Sequence, residues 1–230
     1  MINAGILYIV ATPIGNLEDI TLRAIRILKE VSLVVAEDTR QTKKLLQHFD
    51  IANPTLSYFE HNRFKRIPKI IQHLMGGNDV ALVSDAGTPG ISDPAYRLIR
   101  EAIEGNIKIE AIPGPSAFIT ALAASGLPTD RFIFEGFLPH KKGRKGKLNR
   151  LADFDGTVIF YESPKRILRT LSDVLHYLGD RPAVIGRELT KIHEELIRGK
   201  VSELLSYFKQ NTPRGEFVIM ISKNDQNVYF

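Results

Sequence analysis

No cysteine occurs anywhere in the chain. Disulfides and thiolate metal sites are therefore excluded, and a reducing, cytoplasmic setting is expected. The six histidines, at 48, 61, 73, 140, 176 and 193, are scattered with no H-x-x-x-H pair, so no metal centre is expected. No apolar run approaches the roughly 20 residues of a membrane span. The opening MINAGILYIVATPIGN lacks the basic start and the long apolar core of a signal peptide. ATPIGN does not match the dinucleotide fingerprint G-x-G-x-x-G, and the phosphate loop G-x-x-x-x-G-K-[ST] and the elbow G-x-S-x-G are missing. The usual nucleotide-binding and serine-hydrolase readings thus lose their markers.

What is present fits one large or two small soluble domains: 230 residues, 43% apolar and 25% charged. The net charge of +5 is local. HKKGRKGKLNR, residues 140–150, holds six basic residues and no acid. With those six set aside from the 31 basic residues, 25 remain against 26 acidic ones. Such a segment reads either as a solvated loop or as a grip for a polyanion such as nucleic acid.

Strand and helix patterns alternate. GILYIVATP, SLVVAED, DVALVS and IKIEAI read as strands. TLRAIRILKEV, with Leu22, Ile25, Leu28 and Val31 at helical spacing and Thr21 as N-cap, reads as a helix. So do TRQTKKLLQHF with Thr39 as its cap, PKIIQHLMGG closed by Gly76 or Gly77, and DPAYRLIREAIEG with Asp93 as cap and Pro94 at its first position. Beyond Pro-Gly-Pro at 113–115 the strands RFIFEGFLP, GTVIFYES, RPAVIGREL, EELIRG and EFVIMIS alternate less regularly with SAFITALAASG, PKRILRTLSDVLHYLG and VSELLSYF. The expectation is an α/β protein of two domains. Residues 1–114 hold a mostly parallel sheet, 115–225 an α+β arrangement with a mixed sheet, and 226–230 a frayed tail.

Four strand-like runs end in polar or Gly/Pro loops: ATPIGN at 11–16, AEDTR at 36–40, SDAGTPGISD at 84–93 and AIPGPSA at 111–117. In an open α/β sheet, ligands bind outside the carboxyl ends of the strands. Glycine admits a ligand to main-chain groups without a Cβ in the way. These loops therefore read as presenting backbone to a small ligand. Glu194 and Glu195 read as surface charge.

The same stretches, LYIVATPIGNLEDITLRAIRILKEV, EDTRQTKKLL, SDAGTPGISDPAYRLI, AIPGPSA, FEGFLP, FYESPKRI, GRELTKIHEE and PRGEFVIMI, run in order over nearly the whole chain. Together they resemble the small-subunit ribosomal RNA methyltransferase I family, cytidine 2′-O-methyltransferases on the tetrapyrrole methylase (class III methyltransferase) fold. The resemblance implies S-adenosyl-L-methionine in a cleft between two domains, a homodimer, and small-subunit (16S) rRNA as substrate, in the assembled 30S subunit. Carried over, cofactor-binding positions fall on Pro13, Ile14, Asp85, Gly87, Thr88, Ile91, Ser116, Ala117, Tyr161, Leu189, Pro213 and Gly215. The RNA grip falls on Lys141, Lys142, Arg144, Lys145, Lys147 and Arg150. A ribose hydroxyl must lose its proton, and Asp38, Arg40, Glu162, Glu188 and Lys191 are candidates near the loops for assisting; positioning with water as acceptor is the other route. Two alternatives remain open: a small-molecule methylase acting on a tetrapyrrole, and a non-enzymatic basic RNA-binding assembly factor.

Overall fold

The computed structural model describes residues 4–93, 95–225 and 227–229. Pro94 at the start of its helix, and Gln226 and Phe230 of the tail, lie outside the described residues. The chain divides into two compact units, Met1–Ser116 and Ala117–Phe230.

The first unit runs β1 (Leu7–Val10), α1 (Leu22–Glu30), β2 (Leu33–Ala36), α2 (Thr39–His48), β3 (Thr55–Ser57), α3 (Arg63–Met75), β4 (Val80–Val83), α4 (Ala95–Glu104) and β5 (Ile109–Ile112). Its five strands form a parallel sheet in the order β3-β2-β4-β1-β5. Alternation along each strand sorts side chains onto two cores. Tyr8, Val10, Val34, Ala36, Ala81 and Val83 face the core that holds Ala24, Ile27, Leu28, Leu45 and Leu46 of α1 and α2. Leu7, Ile9, Val35, Val80 and Leu82 face the core that holds Ile67, Ile70 and Leu74 of α3 and Ala95, Leu98 and Ala102 of α4. The unit is thus a three-layer α/β sandwich with two helices on each face.

Local details correct the sequence reading. The cap of α2 is Asp38, whose carboxylate accepts the Arg40 N–H, not Thr39, which is already helical. A carboxylate beats a hydroxyl at a helix N-terminus because it also meets the helix dipole. Leu22 is exposed, and the buried stripe of α1 runs through Ala24, Ile27, Leu28 and Val31 instead. Helix α3 begins five residues before Pro68 and carries that proline inside. Burial of Ile67, Ile70 and Leu74 outweighs the lost backbone bond. Strand β3 escaped notice because it is three residues long and half-buried at the sheet edge.

The second unit runs α5 (Ala117–Ser125), β6 (Phe132–Phe137), α6 (Arg144–Ala152), β7 (Thr157–Glu162), α7 (Ile167–Leu178), β8 (Pro182–Arg187), β9 (Glu195–Lys200), α8 (Val201–Gln210) and β10 (Phe217–Ile221). The sheet order is β6-β7-β10-β8-β9, with β6 and β7 parallel and the other pairs antiparallel. One face, through Val158, Phe160, Ile185, Phe217 and Ile219, packs on Leu148, Leu151, Leu171, Val174 and Leu204 of α6, α7 and α8. Small-residue α5 packs close to the sheet: a Cβ on Gly186 would stand 3.5 Å from that of Ala121. Arg198 caps the end of α5, donating from Nε to Ser125 O at 3.0 Å and from Nη2 to Ala124 O at 2.6 Å. The basic segment expected as a loop is largely helix α6, because Leu148 and Leu151 anchor it to this core.

Candidate cofactor loops and nucleic-acid interface

Strand order dictates where the first unit can hold a ligand. Crossovers from β1 and β2 place their helices on one face, and those from β3 and β4 on the other. At the adjacent carboxyl ends of β2, β4 and β1 the chain therefore leaves toward opposite sides, which opens a crevice. The structure stitches this edge together. Thr12 and Gly87 exchange backbone hydrogen bonds of 2.9 and 3.0 Å. Thr12 Oγ1 donates to Ser84 O at 3.0 Å, and Ser84 Oγ donates to Gly87 O at 3.0 Å. Asp85 Oδ1 accepts the Asp38 N–H at 2.9 Å, tying the loop after β4 to the loop after β2. Thr88 Oγ1 donates to Pro115 O at 3.2 Å, tying it to the chain before Ser116. Asp93 Oδ1 accepts from the N–H groups of Gly90 and Ala95, both at 2.8 Å.

Gly87 sits at φ +82°, and Ile14 lies over the place where its Cβ would stand. Pro13, Thr12, Ser84 and Asp85 line an open pocket of about 310 Å³ with Leu17, Gln41, Thr42, Lys44 and Leu45. Pro13, Ile14, Asp85, Gly87 and Thr88 are thus brought together, while Ile91 lies farther along the loop with its side chain exposed. Thr12 and Ser84 were missed by sequence reasoning. Their signal was position alone: each hydroxyl stands just past the end of a buried strand.

Acids gather at the same edge, and their charge states differ. Two Arg40 nitrogens and two backbone N–H groups hold the Asp38 carboxyl down at about 2. Desolvation first, then the charges of Asp85, Asp93 and Asp38, raises Glu37. Desolvation also raises Asp93, against its two N–H partners, and Asp93 Oδ2 has no partner among the described residues. A carboxyl raised in the fold opposes folding once ionised. Its stabilising share is complete below the unfolded value of 3.8 and is lost as pH rises through the folded value. Asp93→Asn keeps the acceptor and removes the charge. Its melting temperature is expected to match the parent at low pH and to exceed it by up to about 2–4 °C at pH 7. Thermal melts across pH 3–8 check this, and a gap that shrinks as pH rises would sink it.

In the second unit the ends of β7 and β8 and the start of β10 share one end of the sheet, with Phe217 registered against both Glu162 and Arg187. Tyr161 closes that end of β7. Burial raises its phenol, and the Phe118 N–H, next to Ala117 at the start of α5, works the other way by donating to it. Leu189 is buried against Gly186. The turns 187–191 and 213–216 interlock. Arg187 Nε donates to Arg214 O at 2.9 Å, and the Glu188 N–H donates to Glu216 O at 3.0 Å. Glu188 Oε1 accepts from Lys191 Nζ and the Glu216 N–H, both at 2.9 Å. Glu188 and Thr190 are both left-handed, at φ +47° and +65°. Gly215, at φ +84°, lies where a Cβ would fall 2.4 Å from Glu188 Cγ.

These contacts set the charge states of the residues expected as candidate proton acceptors. Burial pushes Glu188 up, but Lys191 and the Glu216 N–H outweigh it and the net shift is downward. Burial pulls Lys191 down, but Glu188 and Glu216 leave it raised and charged. Arg40 and Lys191 therefore carry protons already, and Asp38 and Glu188 hold theirs weakly. The Glu162 side chain is fully buried. It accepts from Thr170 Oγ1 at 2.6 Å and the Ser163 N–H at 2.8 Å, and pairs with Arg166 Nε at 3.3 Å. It has no open face for a substrate hydroxyl.

The six-cation grip is also corrected. Arg144 is only 4% exposed. Its Nε donates to Asp173 Oδ2 at 2.6 Å, Nη2 to Thr170 Oγ1 at 2.8 Å and Nη1 to Pro139 O at 3.2 Å. Lys147 Nζ pairs with Glu135 Oε2 at 2.5 Å and is mostly covered. A buried pair already made cannot be given up cheaply for a phosphate. Lys141, Lys142, Lys145 and Arg150 remain exposed, and so are Lys165 just before α7 and Arg169 within it. Among the described residues no helix is long and apolar enough to cross a membrane.

Residues 6–205 match the tetrapyrrole (corrin/porphyrin) methylases. The ribosomal RNA small subunit methyltransferase I of Synechocystis sp. is 52% identical over 220 residues, covering 95% of this chain and 79% of the relative. Its counterpart from Thermotoga maritima is 50% identical over 218 residues, covering 95% and 98%. A solved cobalt precorrin-4 methyltransferase superposes with a TM-score of 0.72 at 19% identity, covering 94% of each chain. Uroporphyrin III C-methyltransferase from Thermus thermophilus gives 0.68 at 17%, covering 94% and 97%; these two likenesses speak to the fold alone. A parallel sheet with its loops gathered at a switch point, a mixed second sheet, and half-identity along nearly the whole length agree: the chain belongs to the tetrapyrrole (corrin/porphyrin) methylase family, in the branch of its ribosomal RNA small subunit methyltransferase I relatives.

Proposed function

We propose that the protein methylates the 2′-hydroxyl of a cytidine in small-subunit (16S) ribosomal RNA, using S-adenosyl-L-methionine. The observation that carries this reading is identity of about half over 95% of the chain to relatives named for small-subunit rRNA methylation. The exposed cations that follow β6 support an RNA partner over a tetrapyrrole, which offers no phosphate ladder to grip. The cofactor supplies an electrophilic methyl group when bound. The stitched loops suit such a ligand by position: Gly87 lets the loop after β4 close onto Thr12, and the open pocket beside it is lined by Pro13, Ser84 and Asp85 at the carboxyl ends of the strands.

The chain's own part is to bind and orient. Pro13, Ile14, Asp85, Gly87, Thr88, Ile91, Ser116, Ala117, Tyr161, Leu189, Pro213 and Gly215 are proposed to hold the cofactor. Asp38, Glu188 and Lys191 are held in ion pairs, so they serve best to fix loops. The hydroxyl proton passes to water, and rate comes from in-line placement. The acting form is proposed to be a cytoplasmic homodimer working on the assembled 30S subunit.

The test is methyl transfer from radiolabelled S-adenosylmethionine into small subunits that lack the modification, followed by nuclease mapping. Label on a single cytidine ribose is the expected result. Cofactor binding without label would discard the RNA assignment, and neither binding nor label would discard the enzyme.

A further inference from the structure

Strand β6 contains an irregularity that its sequence does not announce. Phe132, Ile133 and Phe134 pair in step with Thr157, Val158 and Ile159, and the next pair is Phe137 with Tyr161. Two residues, Glu135 and Gly136, thus stand opposite the single Phe160. Gly136 takes φ +59°, a conformation that glycine adopts without strain. This is a β-bulge, and a bulge turns the residues beyond it to the other face. Without it Phe137 would follow Ile133 and Glu135 toward the covered face that holds Leu148. With it the ring stands on the face of Phe134 and Tyr161.

The outcome is a row of rings. Phe118 stacks on Phe134 at 4.3 Å, Phe134 meets Tyr161 edge-on at 4.8 Å, and Phe137 meets Tyr161 at 5.7 Å. The inner rings are partly covered, but Phe137 remains 54% exposed at the end of the row. The chain then runs directly into Lys141 and Lys142. Two arginines fix that passage: Arg166 Nη2 donates to Leu138 O, and Arg144 Nη1 donates to Pro139 O. An open ring is thus held between a proposed cofactor residue, Tyr161, and a row of exposed cations. Unpaired bases in RNA are bound by stacking on aromatic rings while cations hold their phosphates.

We infer that Phe137 is a stacking platform for an unpaired nucleobase of the RNA, adjacent to the nucleotide being modified. The inference rests on the RNA-methyltransferase reading and deepens it. The bulge at Gly136 is the device that places the ring, and Lys141, Lys142 and Lys145 supply the phosphate contacts beside it.

The test uses the full chain, a single-stranded oligoribonucleotide from the small-subunit RNA, S-adenosylmethionine and isolated small subunits. Phe137→Leu keeps an apolar side chain and removes the aromatic face; Phe137→Tyr restores it. The expected result is an oligonucleotide affinity reduced roughly 5- to 100-fold in Phe137→Leu. Phe137→Tyr should stay close to the parent, with cofactor affinity and oligomeric state unchanged in both. Cofactor affinity falling in parallel would assign the ring to the cofactor's purine and overturn the inference. A change in oligomeric state by light scattering would assign it to contact with a second copy, and unchanged RNA affinity would leave the ring without a partner; either overturns the inference. Ring-dependent RNA binding by a parent protein that transfers no methyl group would sink the methyltransferase reading and leave the stacking role standing.

Discussion

Replacing Lys141, Lys142 and Lys145 together by glutamate is expected to weaken binding to small-subunit RNA by about 100-fold at moderate salt, with S-adenosylmethionine affinity unchanged. The three side chains are exposed on or just before α6 and have no carboxylate partner among the described residues. The glutamine triple variant should lower the slope of log affinity against log salt by about 2 to 3, since each lost phosphate contact removes about 0.7 to 0.9. Filter binding at several salt concentrations, beside calorimetry with the cofactor, checks both parts. Arg144 and Lys147 do not belong in such a variant. Their loss would leave Asp173, Thr170 and Glu135 with unmet partners and confuse binding with stability. Loss of cofactor affinity in a still-folded triple variant would end the separation of the two roles.

Gly215→Ala is expected to lower S-adenosylmethionine affinity at least about tenfold and to destabilise the fold by about 1–3 kcal/mol. The left-handed backbone strains any side chain there, and the new methyl would fall 2.4 Å from Glu188 Cγ. Glu188 must then move, which breaks its bonds to Lys191 and to the Glu216 N–H. That loosens the turn carrying Leu189 from the turn carrying Pro213, leaving the Arg187–Arg214 bond and the Glu188 N–H to Glu216 O bond to hold them. Calorimetric titration and a thermal melt measure the two effects. A variant that melts lower yet binds the cofactor as tightly as the parent would remove this turn from the cofactor site.

Strands β1 and β4 were legible because they are buried on both faces and read as unbroken apolar runs, whereas three-residue, half-buried β3 was not. The gathering of loops at strand ends followed from the same pattern. Three features were hidden because they depend on partners far away in sequence. The basic segment became a helix through two leucines and a core built from α7 and α8. Arg144 turned inward because Thr170 and Asp173, 26 and 29 residues on, complete its guanidinium. Glu162 looked as available as Glu188 until its full burial appeared. The bulge at Gly136 left no mark except a glycine in a strand, and the identity of the cofactor came only from resemblance.

The paired hydrogen bonds between Thr12 and Gly87 pin two loop residues to each other in an antiparallel bridge just beyond the parallel sheet. Their amides should therefore exchange with deuterium as slowly as those of strand β4, rather than at loop rates. The proposed cofactor edge, pinned by these bonds before any ligand arrives, should have little conformational entropy left to surrender on binding. Affinity at this edge should then be governed by how fast the ligand leaves, and little by any ordering of the loops around it.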